Sequence, residues 1–311
     1  MTLETPTRVS VVVPTRDRPA LLREALASIR ALEGPDLTFE TLVADNGRDG
    51  ETQRVAAAFG ARWIRVARPG ASAARNAGLA AATAEFVTFL DDDDVWLAGH
   101  IRPQIALLRA RPDFAAAVGQ VQRTDADLQP FGNRWPEAAP TSGNLVPVLF
   151  GTFLQIGALV ARTTVRETVG WFAEELISSE DWDWQLRLAI RHRVGFVPQL
   201  CVYFRQRRAT DDDALRWQRW PYVRRVFLRN LRRAGKRRPS LPFLGRTYLR
   251  LCGEGYGWFL NSAAEHARGG ERNAARQELG RAVRVSPLHA AHDLLRPSVF
   301  RSVAGVVIAG R

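Results

Sequence analysis

At 311 residues, with 46% hydrophobic and 24% charged side chains, the chain has the composition of an ordinary globular protein large enough for one big domain or two modest ones. Two cysteines, Cys201 and Cys252, exclude a disulfide framework or a cysteine metal cluster and fit a reducing cytoplasm; residues 1–8 lack the pattern of a signal peptide, and no window reaches the about 18 uninterrupted apolar residues of a membrane span. The net charge of +12 lies wholly in the last third, where residues 211–311 hold 20 basic and 8 acidic side chains against 24 of each in the first 210, so an anionic partner is expected there.

Residues 8–13, β-branched and nearly all apolar, read as a buried strand. A polar turn from Pro14 to Pro19 follows, then Leu21, Leu22, Ala25, Leu26, Ile29 and Leu32 recur at helical spacing until Gly34-Pro35. Residues 39–44 form a second strand ending on Asp45-Asn46-Gly47, residues 51–59 a short helix, and residues 61–66 a third strand. A small-residue helix over 71–83 leads to a fourth strand at 85–90. Strand and helix thus alternate, which predicts an α/β fold with a doubly wound, mostly parallel sheet whose ligands sit at the carboxyl ends of the strands. Three successive strand ends carry Pro14-Thr15, Asp45 and the run Asp91, Asp92, Asp93, Asp94.

Four adjacent carboxylates repel one another and need a nearby cation or full exposure to water. A hard divalent ion takes one or two carboxylates together with substrate phosphates. The alternative is a solvated acidic loop. The position at a strand end, bracketed by Phe89, Leu90, Val95 and Trp96, favours the metal.

The ordered set VVVPTRDRP, LVADNG, GASAARNAGLAAA and FLDDDDVW resembles family 2 glycosyltransferases of the GT-A fold, over roughly residues 8–205. The resemblance implies a nucleotide-diphosphate sugar as donor, a divalent metal (Mn²⁺ or Mg²⁺) and inversion at the anomeric carbon. It assigns Pro14, Thr15, Asp17 and Asp45 to the nucleoside, Arg75 of the ARN motif to the donor, Asp93 to the metal as main ligand, and Asp91 and Asp92 to its support. Where the family often has DDGS, this chain has Asp45-Asn46-Gly47-Arg48, which keeps a hydrogen-bonding group without the second charge. The expected organisation is a GT-A catalytic domain over 1–210, with a nucleotide-sugar half at about 8–96 and an acceptor half at about 97–210, then a basic helical region over 211–311.

In the acceptor half, residues 97–109 read as a helix, 115–121 as a strand, 125–144 as a turn-rich loop and 154–160 as another strand. Glu180-Asp181-Trp182-Asp183-Trp184 resembles the family's ED-containing helix start, which implies Asp181 as catalytic base and Glu180 as helper. Acids in a first helical turn also simply stabilise the helix dipole. The adjoining tryptophans offer an apolar surround that raises a carboxylate's pKa and a platform for an acceptor sugar. Many relatives end the domain on Tyr-Arg-x-His; here Arg207 stands at the histidine position, so either a metal ligand or phosphate contact is missing or Arg207 itself neutralises the leaving diphosphate.

Residues 216–238 carry ten basic and no acidic side chains. Pro221 sits where a helix would start, and Val223, Val226, Phe227 and Leu231 share one face, which suits either an anionic membrane interface or packing on the catalytic domain. Nucleic acid is a weaker partner, as no recognition motif accompanies the arginines. Residues 244–310 read as three helical stretches broken at Gly269-Gly270 and Ser286-Pro287.

The sequence therefore points to an inverting, metal-dependent glycosyltransferase at the cytoplasmic membrane face, acting on a glycan or lipid-linked hydroxyl. The other candidates are a nucleotidyltransferase, disfavoured because Pro14-Thr15-Arg16-Asp17 replaces a Gly-rich loop, and a non-catalytic nucleotide-sugar or nucleic-acid binder.

Overall fold

The computed structural model describes residues 6–48, 50–137, 140, 143–206, 213–294 and 304. The chain forms two units, Met1–Arg208 with Val226–Arg238, and Ala209–Arg225 with Pro239–Arg311.

The first unit opens with β1 (Thr7–Thr15), α1 (Pro19–Arg30), β2 (Leu37–Asp45), α2 (Glu51–Ala58), β3 (Arg62–Arg65), α3 (Ala71–Ala81) and β4 (Phe86–Phe89). β1 pairs in parallel with β2 and β4, and β2 with β3, as expected of chained βαβ units. The register places Pro14 opposite Ala44 and Thr15 opposite Asp45, so the two strands end level and their turns face the same edge. Val9, Val11, Val12 and Val13 are fully buried, the near-continuous apolar run of a strand covered on both faces. α1 starts on a proline, whose missing N–H costs nothing in a first turn, and buries Leu22, Ala25, Leu26 and Ile29.

α3 lies tightly on β1 because Gly78 has no side chain: a Cβ built there would overlap Val12 Cγ1 and stand 3.1 Å from Val12 Cβ. Gly78→Ala is accordingly expected to lower stability by about 1–3 kcal/mol through overpacking, read as a lower midpoint in chemical denaturation. An unchanged midpoint would show that α3 can retreat from β1 without cost.

The sheet continues through β5 (Val95–Trp96), α4 (Arg102–Ala110), β6 (Phe114–Thr124), α5 (Val146–Gly151), β7 (Leu159–Arg162), α6 (Val165–Val169), α7 (Glu180–Arg191) and β8 (Arg193–Arg205). The strand order is β3-β2-β1-β4-β7-β6-β8-β5. β7 runs antiparallel to β4 and β6, β5 antiparallel to β8, and β6 parallel to β8, so the second half of the sheet is mixed.

Two local expectations shift. The helix read from residue 97 starts at Arg102, because the fully buried Ile101 holds a φ of 70°, outside the helical basin and strained for a β-branched residue. The strand read from residue 154 starts at Leu159; before it, Gln155 caps a short 3₁₀ turn, Ile156–Ala158, by accepting from the Gly157 N–H.

Helix α8 (Asp213–Ala234) contains Pro221 in its interior, so Pro221 is not its first residue. A proline deletes one backbone hydrogen bond without ending a helix that tertiary packing holds on both sides. In the second unit Trp220 packs where Gly255 leaves room, a Cβ there lying 2.9 Å from the indole. That unit continues with α9 (Leu241–Arg268), α10 (Arg272–Val285) and α11 (Pro287–Leu294), around a core of Tyr256, Phe259, Leu260, Ala263, Leu279, Ala282 and Ala290. In the first unit the remainder of α8 buries Val226 and Phe227, the latter edge-on to Phe150 at 5.3 Å, so half of the apolar face read from the sequence is packed in protein. No helix among the described residues is long and apolar enough to cross a membrane.

Candidate active site

The turns after β1 and β2 interlock. Asp17 takes a φ of 52° and its Oδ1 accepts from the Arg48 N–H at 2.5 Å. Gly47 is pressed against it, since a Cβ there would lie 2.7 Å from the Asp17 backbone nitrogen. Asp45 is buried and both its oxygens are engaged, Oδ1 by the Gly47 N–H at 2.7 Å and Oδ2 by the Trp63 indole at 3.1 Å. These bonds brace the turn from within.

β4 delivers the aspartate run next to them. Thr15 donates to Asp92 Oδ2 at 2.6 Å, and Arg18 reaches Asp92 Oδ1 at 2.5 Å and Asp93 Oδ2 at 2.9 Å. Burial pushes Asp92 up to about 7, against the pull of Arg18. Asp94 is also sealed and raised well above the carboxylate range by burial and by its charged neighbours; Gln155 and the Arg205 N–H, the latter at 3.0 Å, both donate to it. Asp91 and Asp93 are the members of the run that reach solvent, with side chains 25% and 12% exposed.

Arg75 ties the two distant acidic motifs together. Its buried guanidinium donates to Asp91 Oδ1 at 2.6 Å and to Glu180 Oε1 at 2.8 Å, and lies 5.7 Å from the centroid of the Phe172 ring. Burial alone would disfavour its charge, but Asp91, Glu180 and Asp181 more than compensate and hold it firmly protonated. Asp181, in the first turn of α7, is pushed up to about 7 by burial and by the charge of Glu180, with Arg75 opposing. A carboxyl raised toward neutrality is suited to general acid–base chemistry.

A hard cation would find carboxylate oxygens of the right kind at this edge. Asp91 is held by Arg75 and, at 3.3 Å, by Gln155, and Asp93 is met on Oδ2 by Arg18 at 2.9 Å; both side chains reach solvent. Among the described residues no group of three or more His, Cys, Asp or Glu side chains converges on one point. The two carboxylates of the run that reach solvent, Asp91 and Asp93, are of the chemistry a hard cation takes when most of its ligands come from substrate phosphates and water.

Two expectations from the sequence need correction or fall away. Trp182 and Trp184 are 5% and 0% exposed, with indoles donating to the Leu149 and Gly170 carbonyls, so neither offers a surface to a sugar. They belong to the core, where Trp184 stacks on Phe172 at 5.1 Å. Arg207 lies outside the described residues. Arg18, Gln155 and Arg205 are site residues the sequence did not single out; for Arg18 the signal was available, an arginine in the turn after β1 close to a run of four acids.

Residues 10–157 match the family model for Glycosyl transferase family 2. Over that stretch the chain carries a family 2 glycosyltransferase domain. This glycosyltransferase is 26% identical over 219 residues to an uncharacterised glycosyltransferase of Bacillus subtilis (YwdF), covering 67% of this chain and 77% of the relative. It is 36% identical over 99 residues to the GalNAc(5)-diNAcBac-PP-undecaprenol beta-1,3-glucosyltransferase of Campylobacter jejuni, covering 30% of this chain and 31% of that protein. Its fold is similar to S. aureus TarS 1–349 in complex with UDP, with a TM-score of 0.61 at 17% identity over 98% of this chain and 92% of that one. The mixed eight-stranded sheet is thus that of a GT-A glycosyltransferase.

Proposed function

We propose that this glycosyltransferase moves a sugar, with inversion, from a nucleoside-diphosphate sugar to a hydroxyl of a glycan or lipid-linked acceptor, assisted by Mn²⁺ or Mg²⁺. The observation that carries the reading is Arg75, buried between Asp91 of the donor-side run and Glu180 beside Asp181, which sets a candidate base against a candidate diphosphate site. Support for the donor comes from the similarity in fold to a UDP complex, and for the acceptor from a relative named for a polyprenyl-diphosphate substrate.

In this reading Pro14, Thr15, Asp17 and Asp45 shape the pocket for base and ribose, with Asp92 sealed behind it. Asp93 would hold the cation, with Asp91 beside it. When bound, the cation supplies positive charge to the leaving diphosphate. Asp181 takes the proton of the acceptor hydroxyl while its oxygen forms the new bond to the anomeric carbon, and the bond from that carbon to the diphosphate oxygen breaks on the opposite face. Within the arginine-rich stretch 216–238, Arg229 and Arg233 are taken by Asp183, and the exposed Arg232, Lys236 and Arg238 suit attraction to an anionic membrane surface bearing the acceptor, at the cytoplasmic face.

Calorimetric titration with a panel of nucleoside-diphosphate sugars and Mn²⁺ tests the donor half of this reading. One donor is expected to bind in a metal-dependent manner, and Asp93→Ala to weaken that binding at least about tenfold, the loss of one charged contact to a metal–diphosphate. A folded wild-type protein that binds no donor with any metal would remove the basis for it.

A further inference from the structure

With Trp182 and Trp184 buried, the acceptor side needs another surface for a sugar ring. Among the described residues of the first unit, the large hydrophobic side chains left exposed are Phe131 at 47%, Trp171 at 49% and Ile177 at 64%. Trp171 and Ile177 lie on the segment between α6 and α7, which runs directly into Glu180 and Asp181. Exposure by itself is ordinary for a surface side chain. What sets Trp171 apart is its backbone.

Loop carbonyls ordinarily satisfy themselves with water. Here five consecutive carbonyls, those of Val169, Gly170, Trp171, Phe172 and Ala173, accept from protein side chains. Arg187 donates to Val169 and, at 2.7 Å, to Trp171; the Trp184 indole donates to Gly170 at 2.9 Å. Asn76 holds Phe172 by both ends of its amide, donating to the carbonyl at 3.0 Å and accepting from the N–H at 2.8 Å, and Ser72 donates to Ala173 at 3.1 Å. Glu174 then accepts from Asn76 at 3.0 Å and pairs with Arg68 at 2.7 Å. The side chains that grip the carbonyls come from α3 and α7, the same two helices that carry Arg75 and Asp181. The loop is therefore keyed to the reacting groups, and it presents one indole to solvent.

We propose that Trp171 is the acceptor platform, a specificity-determining residue that stacks its indole on the C–H face of the acceptor's terminal pyranose and so fixes which hydroxyl meets Asp181. A tryptophan has two side-chain torsions, so on a fixed backbone it presents a large flat apolar face with little entropy to lose on binding. This inference rests on the transferase reading above, and its test separates the two.

Methyl and n-octyl glycosides of a panel of hexoses and N-acetylhexosamines would be titrated by ligand-observed NMR against the full chain, with UDP and other nucleoside diphosphates titrated separately by calorimetry. For the glycosides that bind, Trp171→Ala is expected to raise Kd about tenfold for the methyl and octyl forms alike, as loss of an aromatic contact predicts. Trp171→Phe should stay within about threefold of wild type, because a flat ring remains. Ile177→Ala, on the same segment, should bind as wild type does, and nucleoside-diphosphate affinity should be unchanged in all three variants. Equal glycoside affinity in wild type and Trp171→Ala overturns the proposal, as does a wild type that binds none of the glycosides. A loss confined to the octyl forms overturns it too, by making the indole a contact for a lipid chain. A wild type that binds no nucleoside diphosphate, yet loses glycosides in Trp171→Ala, would sink the transferase reading and leave the stacking residue standing.

Discussion

Asp183→Ala is expected to destabilise the first unit by about 3–5 kcal/mol, the cost of breaking a buried ion pair from one side. Asp183 has no solvent exposure and collects four donors onto one carboxylate: Arg187 at 2.9 Å, Arg229 Nε at 3.1 Å, Arg233 at 3.4 Å and Asn230 at 2.7 Å. Burial opposes its charge, but Arg187 and the hydrogen bonds from Asn230, Arg187 and Arg229 outweigh it and hold the carboxyl below its usual range. Without it three guanidinium groups lose their shared carboxylate, and Val226–Arg238 keeps on α7 only contacts such as those of Arg237 with the Ala189 and Ile190 carbonyls. A carboxyl depressed in the folded state stabilises the protein above its unfolded pKa and loses that contribution as pH falls through the lower, folded value. The wild type should therefore shed part of its stability below about pH 4, and Asp183→Asn should lack that acid limb. Denaturant unfolding at pH 7 and pH 3 measures both; a change under about 1 kcal/mol in Asp183→Ala at pH 7 would mean that the cluster is solvated rather than buried.

Asp181→Asn is expected to lower turnover about a thousandfold, within the range for removing a general base, while leaving donor affinity intact. Because burial and Glu180 push Asp181 up to about 7, and because a base must be ionised to act, the wild-type rate should climb with pH and level off above about 7. Glu180→Gln removes the like charge that raises Asp181, so the rising limb should move to lower pH. Steady-state rates from pH 5 to 9 with saturating donor and metal distinguish the cases. A pH-independent rate in the wild type, or full turnover in Asp181→Asn, would exclude Asp181 as the base. The two substitutions probe neighbours on α7 with different expected readouts: stability for Asp183, and rate and its pH dependence for Asp181.

Much of the donor half is legible in the order of residues alone. Each βαβ unit there is written in short-range signals, a β-branched run such as Val11, Val12 and Val13, then a turn such as Pro14-Thr15, then apolar residues at helical spacing. Those signals act over fewer than about 15 residues, so a local pattern suffices to recover them. The second half is harder. β5 has two residues, β7 has four, and the 3₁₀ turn at Ile156–Ala158 exists because Gln155 caps it; elements this short take their shape from neighbours in the sheet.

The sequence by itself determined the family resemblance, the strand ends that carry Thr15 and Asp45, and the presence of acids at Asp91, Asp92, Asp93, Asp94, Glu180 and Asp181. Only the tertiary structure decided how those acids differ. Asp92 and Asp94 are sealed while Asp91 and Asp93 meet solvent, Trp182 and Trp184 turn inward while Trp171 turns out, and Val226–Arg238 packs with the first unit. The physical reason is that charge state and exposure depend on partners far away in the chain. Arg18 reaches Asp93 across 75 positions, Arg75 reaches Glu180 across 105 and Arg205 reaches Asp94 across 111, and no local pattern encodes contacts of that span.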